Sequence, residues 1–139
     1  MILIVCIDDR KGMMFNQRRQ SQDKILREDM INQCRNGKLY MNEYSFSMFG
    51  ECTDAVIIAA EDFLNQAGEN DYCFVENQEI SGYLVDINKI ILYHWNRRYP
   101  ADTYFNIDVT DGNWKRETSE IFTGSSHDKI TREVYKKIK

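Results

Sequence analysis

Residues 2–7, Ile-Leu-Ile-Val-Cys-Ile, form an unbroken apolar run that stops at Asp8-Asp9. A run without polar alternation suits a strand covered on both faces, and such strands stand in the middle of sheets. This segment therefore predicts a layered α/β architecture. The turn Asp8-Asp9-Arg10-Lys11-Gly12 follows it, and then the polar run Asn16-Gln17-Arg18-Arg19-Gln20-Ser21-Gln22-Asp23. A strand, a turn and a helix opened by two arginines and an acid is a common way to build the rim of a ligand cleft.

The rest of the chain alternates between strand and helix signals. Residues 19–36 read as a helix with Ser21 as N-cap, an apolar face of Ile25, Leu26, Met30, Ile31 and Cys34, and Gly37 as the stop. Strands are expected at residues 38–41, 54–59, 72–76 and 89–95. Between them, Asn42 caps a brief helix ended by Gly50, residues 60–67 read as a helix stopped by Gly68, and residues 78–85 as a short one. Residues 102–108 are extended. Two weakly alternating runs, 115–122 and 130–138, flank Gly124-Ser125-Ser126 and read as a hairpin. The fold class predicted is α/β: a single domain over residues 1–139 with a mainly parallel central sheet, helices on both faces and a C-terminal antiparallel hairpin.

A chain of 139 residues can bury about two-thirds of its unfolded surface, enough for a core without staples. The net charge of −4 argues against non-specific binding to a nucleic acid polymer. Cys6, Cys34, Cys52 and Cys73 are widely spaced and form no C-x-x-C pair, so they are read as reduced thiols. The first apolar run is too short for a secretory leader, and no stretch approaches the ~20 apolar residues of a membrane span. A cytoplasmic protein with no membrane partner is expected.

The order of elements resembles the dihydrofolate reductase family. Residues 5–12, Val-Cys-Ile-Asp-Asp-Arg-Lys-Gly, look like that family's first strand and glycine-bearing loop. Leu39-Tyr40-Met41 looks like the strand before its cofactor-binding helix, residues 88–94 are similar to its fifth strand, and Asp102-Thr103-Tyr104-Phe105 looks like its D-T-x-F signature. Trp114 and the closing hairpin follow at suitable distance. The resemblance covers nearly the whole chain and implies the family fold. It also marks departures. Where the family has a glycine pair against the cofactor pyrophosphate, this chain has Glu76-Asn77-Gln78. Where the family has a basic residue for the cofactor phosphates, it has Glu43, and where small hydroxyl residues stand it has Ala59-Ala60-Glu61. An acid beside a phosphate repels it, so no NADPH and no other cofactor is expected.

On the substrate side, Asp23 falls where the family's carboxylate grips the pterin ring. Tyr93 matches a small hydroxyl residue and would partly fill a folate-sized pocket. Arg18-Arg19-Gln20 replaces an apolar lid segment. Arginine forks at a helix start suit a phosphate or carboxylate, and the alternative is a solvated pair or an ion pair with Asp8 or Asp9. Asp23 reads either as an acid or orienting acceptor, or as a favourable acid in a first helical turn. With only His94 and His127, in no ligand spacing, no metal is expected. Neither a P-loop nor a G-x-S-x-G elbow occurs. Tyr40, Tyr44, Phe46, Phe49 and Tyr72 read as core, with a homodimer patch open to any exposed subset.

The sequence thus predicts a dihydrofolate-reductase-like protein that is not an NADPH-dependent reductase. A small anionic or nucleotide-like ligand is expected in the former substrate cleft, held by Asn16, Arg18, Arg19, Gln20 and Tyr93, with Asp23 as the candidate catalytic acid. The alternatives are a divergent NAD(P)H-dependent reductase and a non-catalytic protein-interaction module.

Overall fold

The computed structural model describes residues 1–50 and 55–138. Its elements are β1 (Ile2–Ile7), β2 (Gly12–Phe15), β3 (Arg18–Arg19), α1 (Lys24–Gln33), β4 (Lys38–Met41), α2 (Glu43–Phe46), β5 (Val56–Ala59), α3 (Phe63–Gln66), β6 (Tyr72–Phe74), β7 (Lys89–His94), β8 (Thr103–Tyr104), β9 (Trp114–Phe122) and β10 (Ile130–Lys137). A 3₁₀ turn, Ser81–Tyr83, precedes β7. Cys52 and Asp54, the expected start of the third strand, lie outside the described residues.

The apolar run takes the place its composition requires. The main sheet has the order β5-β4-β6-β1-β7-β10-β9. Strand β1 pairs in parallel with β6 and β7, so Ile2 faces Tyr72 on one side and Lys89 on the other. Four neighbouring pairs are parallel, and β10 and β9 complete the sheet antiparallel. Successive strand residues point to opposite faces, and both faces are filled. Leu3, Val5 and Ile7 pack with Phe63, Leu64, Ile80, Ile87 and Phe105 on one side. Ile4 packs with Leu26, Met30, Leu39, Phe74, Ile91 and Tyr93 on the other, under α1. No helix among the described residues is long and apolar enough to cross a membrane.

The expected first helix is corrected at its start. Residues 18 and 19 are not helical. They form β3, which pairs antiparallel with β2 in a second small sheet of order β3-β2-β8. Asn16 and Gln17 connect the two strands with φ of 54° and 62°. A two-residue hairpin loop needs positive φ at both positions to match the strand twist, and asparagine tolerates it. The helix starts only at Lys24, and its N-cap is Asp23 rather than Ser21. Asp23 has extended backbone (φ −152°, ψ 126°) and accepts from the N–H of Ile25 and Leu26. Leu26, Met30 and Cys34 are buried as expected, while Ile25 is exposed, about 140° round the helix from Met30 and opposite Cys34. The Asn42 cap on α2 is as expected, its side chain accepting from the Ser45 N–H.

Helix α1 is tied to the sheet by more than apolar contact. The fully buried Tyr93 donates its hydroxyl to Asp29 Oδ2 at 2.6 Å, and Arg132 Nη1 on β10 donates to Asp29 Oδ1 at 2.5 Å. Arg132 Nη2 reaches Glu120 on β9 at 2.8 Å. One carboxylate thus joins α1, β7 and β10. Asp29→Ala strands two donors and is expected to lower unfolding free energy by about 2–4 kcal/mol, whereas Tyr93→Phe costs about 1 kcal/mol. Urea denaturation of the two variants and the double variant checks both values. Equal losses from the two single changes would show that Arg132 does not depend on Asp29.

Candidate functional site

In open α/β sheets, ligands meet the carboxyl ends of the parallel strands. Here a cleft opens beside the ends of β1 and β6, under the N-terminal half of α1. Cys6, Met13, Leu26, Met30, Phe74 and Trp95 give it apolar walls, and Arg19, Gln20, Ser21, Asp23, Arg27 and Glu76 bring polar atoms to it. The cleft is closed to a clear volume of about 20 Å³, room for about one water molecule.

What closes it is Arg19. Its Nε and Nη2 donate to Glu76 Oε2 and Oε1 at 2.9 and 3.0 Å. Glu76 also accepts from Ser45 Oγ at 2.7 Å and is nearly buried. The guanidinium lies over the Tyr44 ring, 4.2 Å from its centroid. Burial alone would lower the Arg19 pKa, but Glu76 more than reverses this and raises it. The ion-pair alternative therefore holds for Arg19, with Glu76 as partner in place of Asp8 or Asp9. Arg18 is exposed on β3 and does not line the cleft, and Asn16 serves the hairpin turn with its N–H on Asp102 Oδ2 at 3.0 Å. Tyr93 stands in the core behind the cleft, occupied by Asp29. Gln20 does line the cleft. Its Nε2 donates to Asp8 Oδ2 and to the Pro100 carbonyl, and its Oε1 is buried with no partner among the described residues.

Asp23 sits at the cleft with every lone pair engaged. Oδ1 accepts from the N–H of Ile25, Leu26 and Ser125 at 3.0, 3.1 and 2.9 Å. Oδ2 accepts from the Ser126 N–H at 2.8 Å and the Ser126 hydroxyl at 3.1 Å, and lies 3.1 Å from His127 Nδ1. Burial pushes the carboxyl pKa up, but the amides of Ser126 and Ser125, with His127 and the helix amides, outweigh it and hold the group far below the usual carboxylate range. A carboxylate saturated with donors in this way favours its ionised form, which suits an orienting acceptor better than a proton donor. The approach of residues 124–127 depends on Gly124, where an added Cβ would collide with the Asp23 carboxylate and lie 2.8 Å from Ile130 Cδ1.

Three residues that sequence reasoning did not place at the site, His127, Arg27 and Cys6, complete it. His127 is buried, stacked on Trp95 with ring centroids 4.6 Å apart. Its Nε2 lies 3.2 Å from Ser21 Oγ and 2.9 Å from the Tyr99 hydroxyl. Arg27, on the second turn of α1, donates to the Gln22 side chain at 3.2 Å and has no ion pair among the described residues. The thiol of Cys6 is pushed up by burial and by Glu76, with Arg19 opposing, so it stays protonated. No trio of His, Cys, Asp or Glu among the described residues is placed to hold a metal ion.

The carboxylate has a pH signature. Because its folded pKa is depressed, Asp23 stabilises the fold above the unfolded value of about 3.9, and that contribution is lost as pH falls below it. Asp8, under burial opposed by the amides of Arg10, Gly12 and Tyr99, is shifted the same way and adds to the slope. Denaturant unfolding measured from pH 7 down to about pH 2 is expected to show stability falling steeply below pH 5. Asp23→Asn is expected to cost about 3 kcal/mol at pH 7 and to flatten that fall. An unchanged slope in the variant would remove Asp23 from the account. Gly124→Ala is expected to reproduce much of the loss.

No protein-family model matches the chain, and no curated protein matches it. Among solved structures it is similar to a dihydrofolate reductase from Enterococcus faecalis complexed with NADP(H) and RAB-propyl, with a TM-score of 0.68 and 7% identity over 99% of this chain and 96% of that one. A likeness at that identity is one of fold: the chain has a dihydrofolate-reductase-like fold.

Proposed function

We propose that this protein binds a small anionic molecule in the cleft under α1 and does not carry out nicotinamide-dependent reduction. The observation that supports it most directly is the use this chain makes of its own acids. Glu61 Oε2 accepts from the Glu43 N–H at 3.0 Å, at the start of α2, and Glu76 holds Arg19. By the family resemblance, these are places where the phosphates of a dinucleotide would find their donors. Carboxylates already there occupy the donors and repel a polyphosphate. The residues present do not fit NADP(H), the cofactor bound by the E. faecalis protein.

Recognition of an anion rests on Arg27. It is a cleft-lining cation with no ion pair among the described residues, near an apolar wall that suits a small non-polar body. Arg19 is a second cation, reached only when the ligand displaces Glu76. The buried Oε1 of Gln20 is an acceptor for any donor the ligand carries.

Trp95 lines the cleft and Trp114 does not, so Trp114→Phe makes tryptophan emission report on the site alone. NADPH is expected to give no saturable quenching, and no oxidation of NADPH is expected with dihydrofolate. Benzoate, a small aromatic carboxylate, is expected to quench Trp95 saturably, and Arg27→Ala to weaken that binding about tenfold, the size of one charge-assisted hydrogen bond. Saturable micromolar NADPH binding would overturn the loss of the cofactor site. Benzoate binding indifferent to Arg27→Ala would overturn the anion site.

A further inference from the structure

Ser21, His127 and Asp23 form a connected array at the cleft. Ser21 Oγ lies 3.2 Å from His127 Nε2, and His127 Nδ1 lies 3.1 Å from Asp23 Oδ2. With Asp23 ionised, a neutral His127 carries its proton on Nδ1, facing the carboxylate. Nε2 is then a bare acceptor directed at the serine hydroxyl. These are the relations of nucleophile, general base and orienting acid that recur on unrelated folds and are recognised by geometry rather than sequence order. Ser21 lines the cleft and is only half-buried, so a substrate can reach it.

We infer that this cleft carries an acyl-transfer site, in which Ser21 is the nucleophile, His127 its general base and Asp23 the residue that positions the imidazole, acting on a small ester or thioester. The inference rests on the binding reading in one respect, that a small molecule enters the cleft. Ser21 Oγ attacks the carbonyl carbon while His127 Nε2 takes the hydroxyl proton. The bond to the leaving alkoxide or thiolate breaks, and the leaving group receives that proton from the imidazolium. Water, activated by the same Nε2, then attacks the acyl-serine and releases the carboxylic acid. Electrons and protons balance without a further reactant.

Three features of the surroundings support this reading. Trp95 stacks on the imidazole and fixes its plane, and the Ser126 hydroxyl, 3.1 Å from Nδ1, helps hold that edge. The clear volume is small and the walls apolar, which limits the acyl group to a short one and leaves the rest of the substrate at the mouth. There Arg27, held by the side chain of Gln22 next to Ser21, meets an anionic leaving portion. The Tyr99 hydroxyl competes with Ser21 for Nε2 at 2.9 Å. The Cys6 thiol in the same cleft is pushed up by burial and does not compete as a thiolate nucleophile.

A small alkyl fluorophosphonate is the probe. Serine attack on phosphorus releases fluoride and leaves a stable adduct that peptide mass spectrometry locates. The expected result is a single adduct at Ser21, absent in Ser21→Ala. His127→Gln, checked for folding by circular dichroism, is expected to slow labelling at least a hundredfold, the scale of general-base catalysis. A solvent deuterium isotope effect on labelling of the unaltered protein tests the same proton transfer should that variant not fold. Labelling absent from Ser21, labelling with no isotope effect, or labelling equally fast in a folded His127→Gln protein would each overturn the inference. Trp95 quenching by benzoate separates the two readings: binding without labelling leaves the anion site standing and removes the acyl-transfer site, and loss of both removes both.

Discussion

The structure around the cleft depends on one carboxylate. Asp23 ends the irregular segment after β3, caps α1 through two amides and accepts two more from the loop between β9 and β10. Through those bonds the first helix, which covers one face of the sheet, is attached to the C-terminal hairpin, which closes its edge. The same bonds bring His127 against Trp95 and under Ser21. Four amide donors and an imidazole around one buried acid favour its charged form and fix its orientation.

A second set of acids stands where an α/β sheet of this kind offers its donors to ligands. Glu76 and Glu61 follow the carboxyl ends of β6 and β5. Each meets a donor of the same chain, the buried Glu76 holding Arg19 and the exposed Glu61 the Glu43 amide. A bidentate guanidinium–carboxylate pair that also accepts from Ser45 is strongest with both charges buried together, and removing either partner leaves an uncompensated charge. The cleft is narrow for the same reason, since the Arg19 side chain reaches from β3 to β6 to make the pair.

How much of this was legible in the sequence follows from the range of each interaction. The central position of β1 was legible because a six-residue apolar run has few other homes, and the closing hairpin because its turn residues are local signals. The hairpin at 16–17 was missed because neither residue is glycine, so the left-handed loop was hidden inside a polar run that resembled a helix start. Ile25 was counted with the apolar face although the helical period sets it opposite Cys34. The Arg19–Glu76 pair spans 57 residues and the Asp23–His127 contact 104, and nothing in either local sequence names its partner. The number of hydrogen bonds on Asp23, which bears on its chemistry, appears only when residues 124–127 are folded against it.

The two readings of Asp23 differ in where its charge is used. An acid that contacts a substrate directly needs an unfilled lone pair and a pKa near the working range, conditions met by partial burial with few donors. An acid that orients an imidazole needs the opposite: a fixed negative charge, saturated by amides so that it neither moves nor protonates, with one oxygen on the ring. Asp23 meets the second set of conditions and fails the first. The consequence passes to Nε2, the atom of the His127 ring that faces the cleft. Its competing donor, the Tyr99 hydroxyl, lies closer than Ser21, so in the resting site the two hydroxyls share one lone pair. A substrate that draws the tyrosine hydroxyl to its own oxygen would give that lone pair to the serine alone, which makes nucleophile activation a consequence of substrate entry.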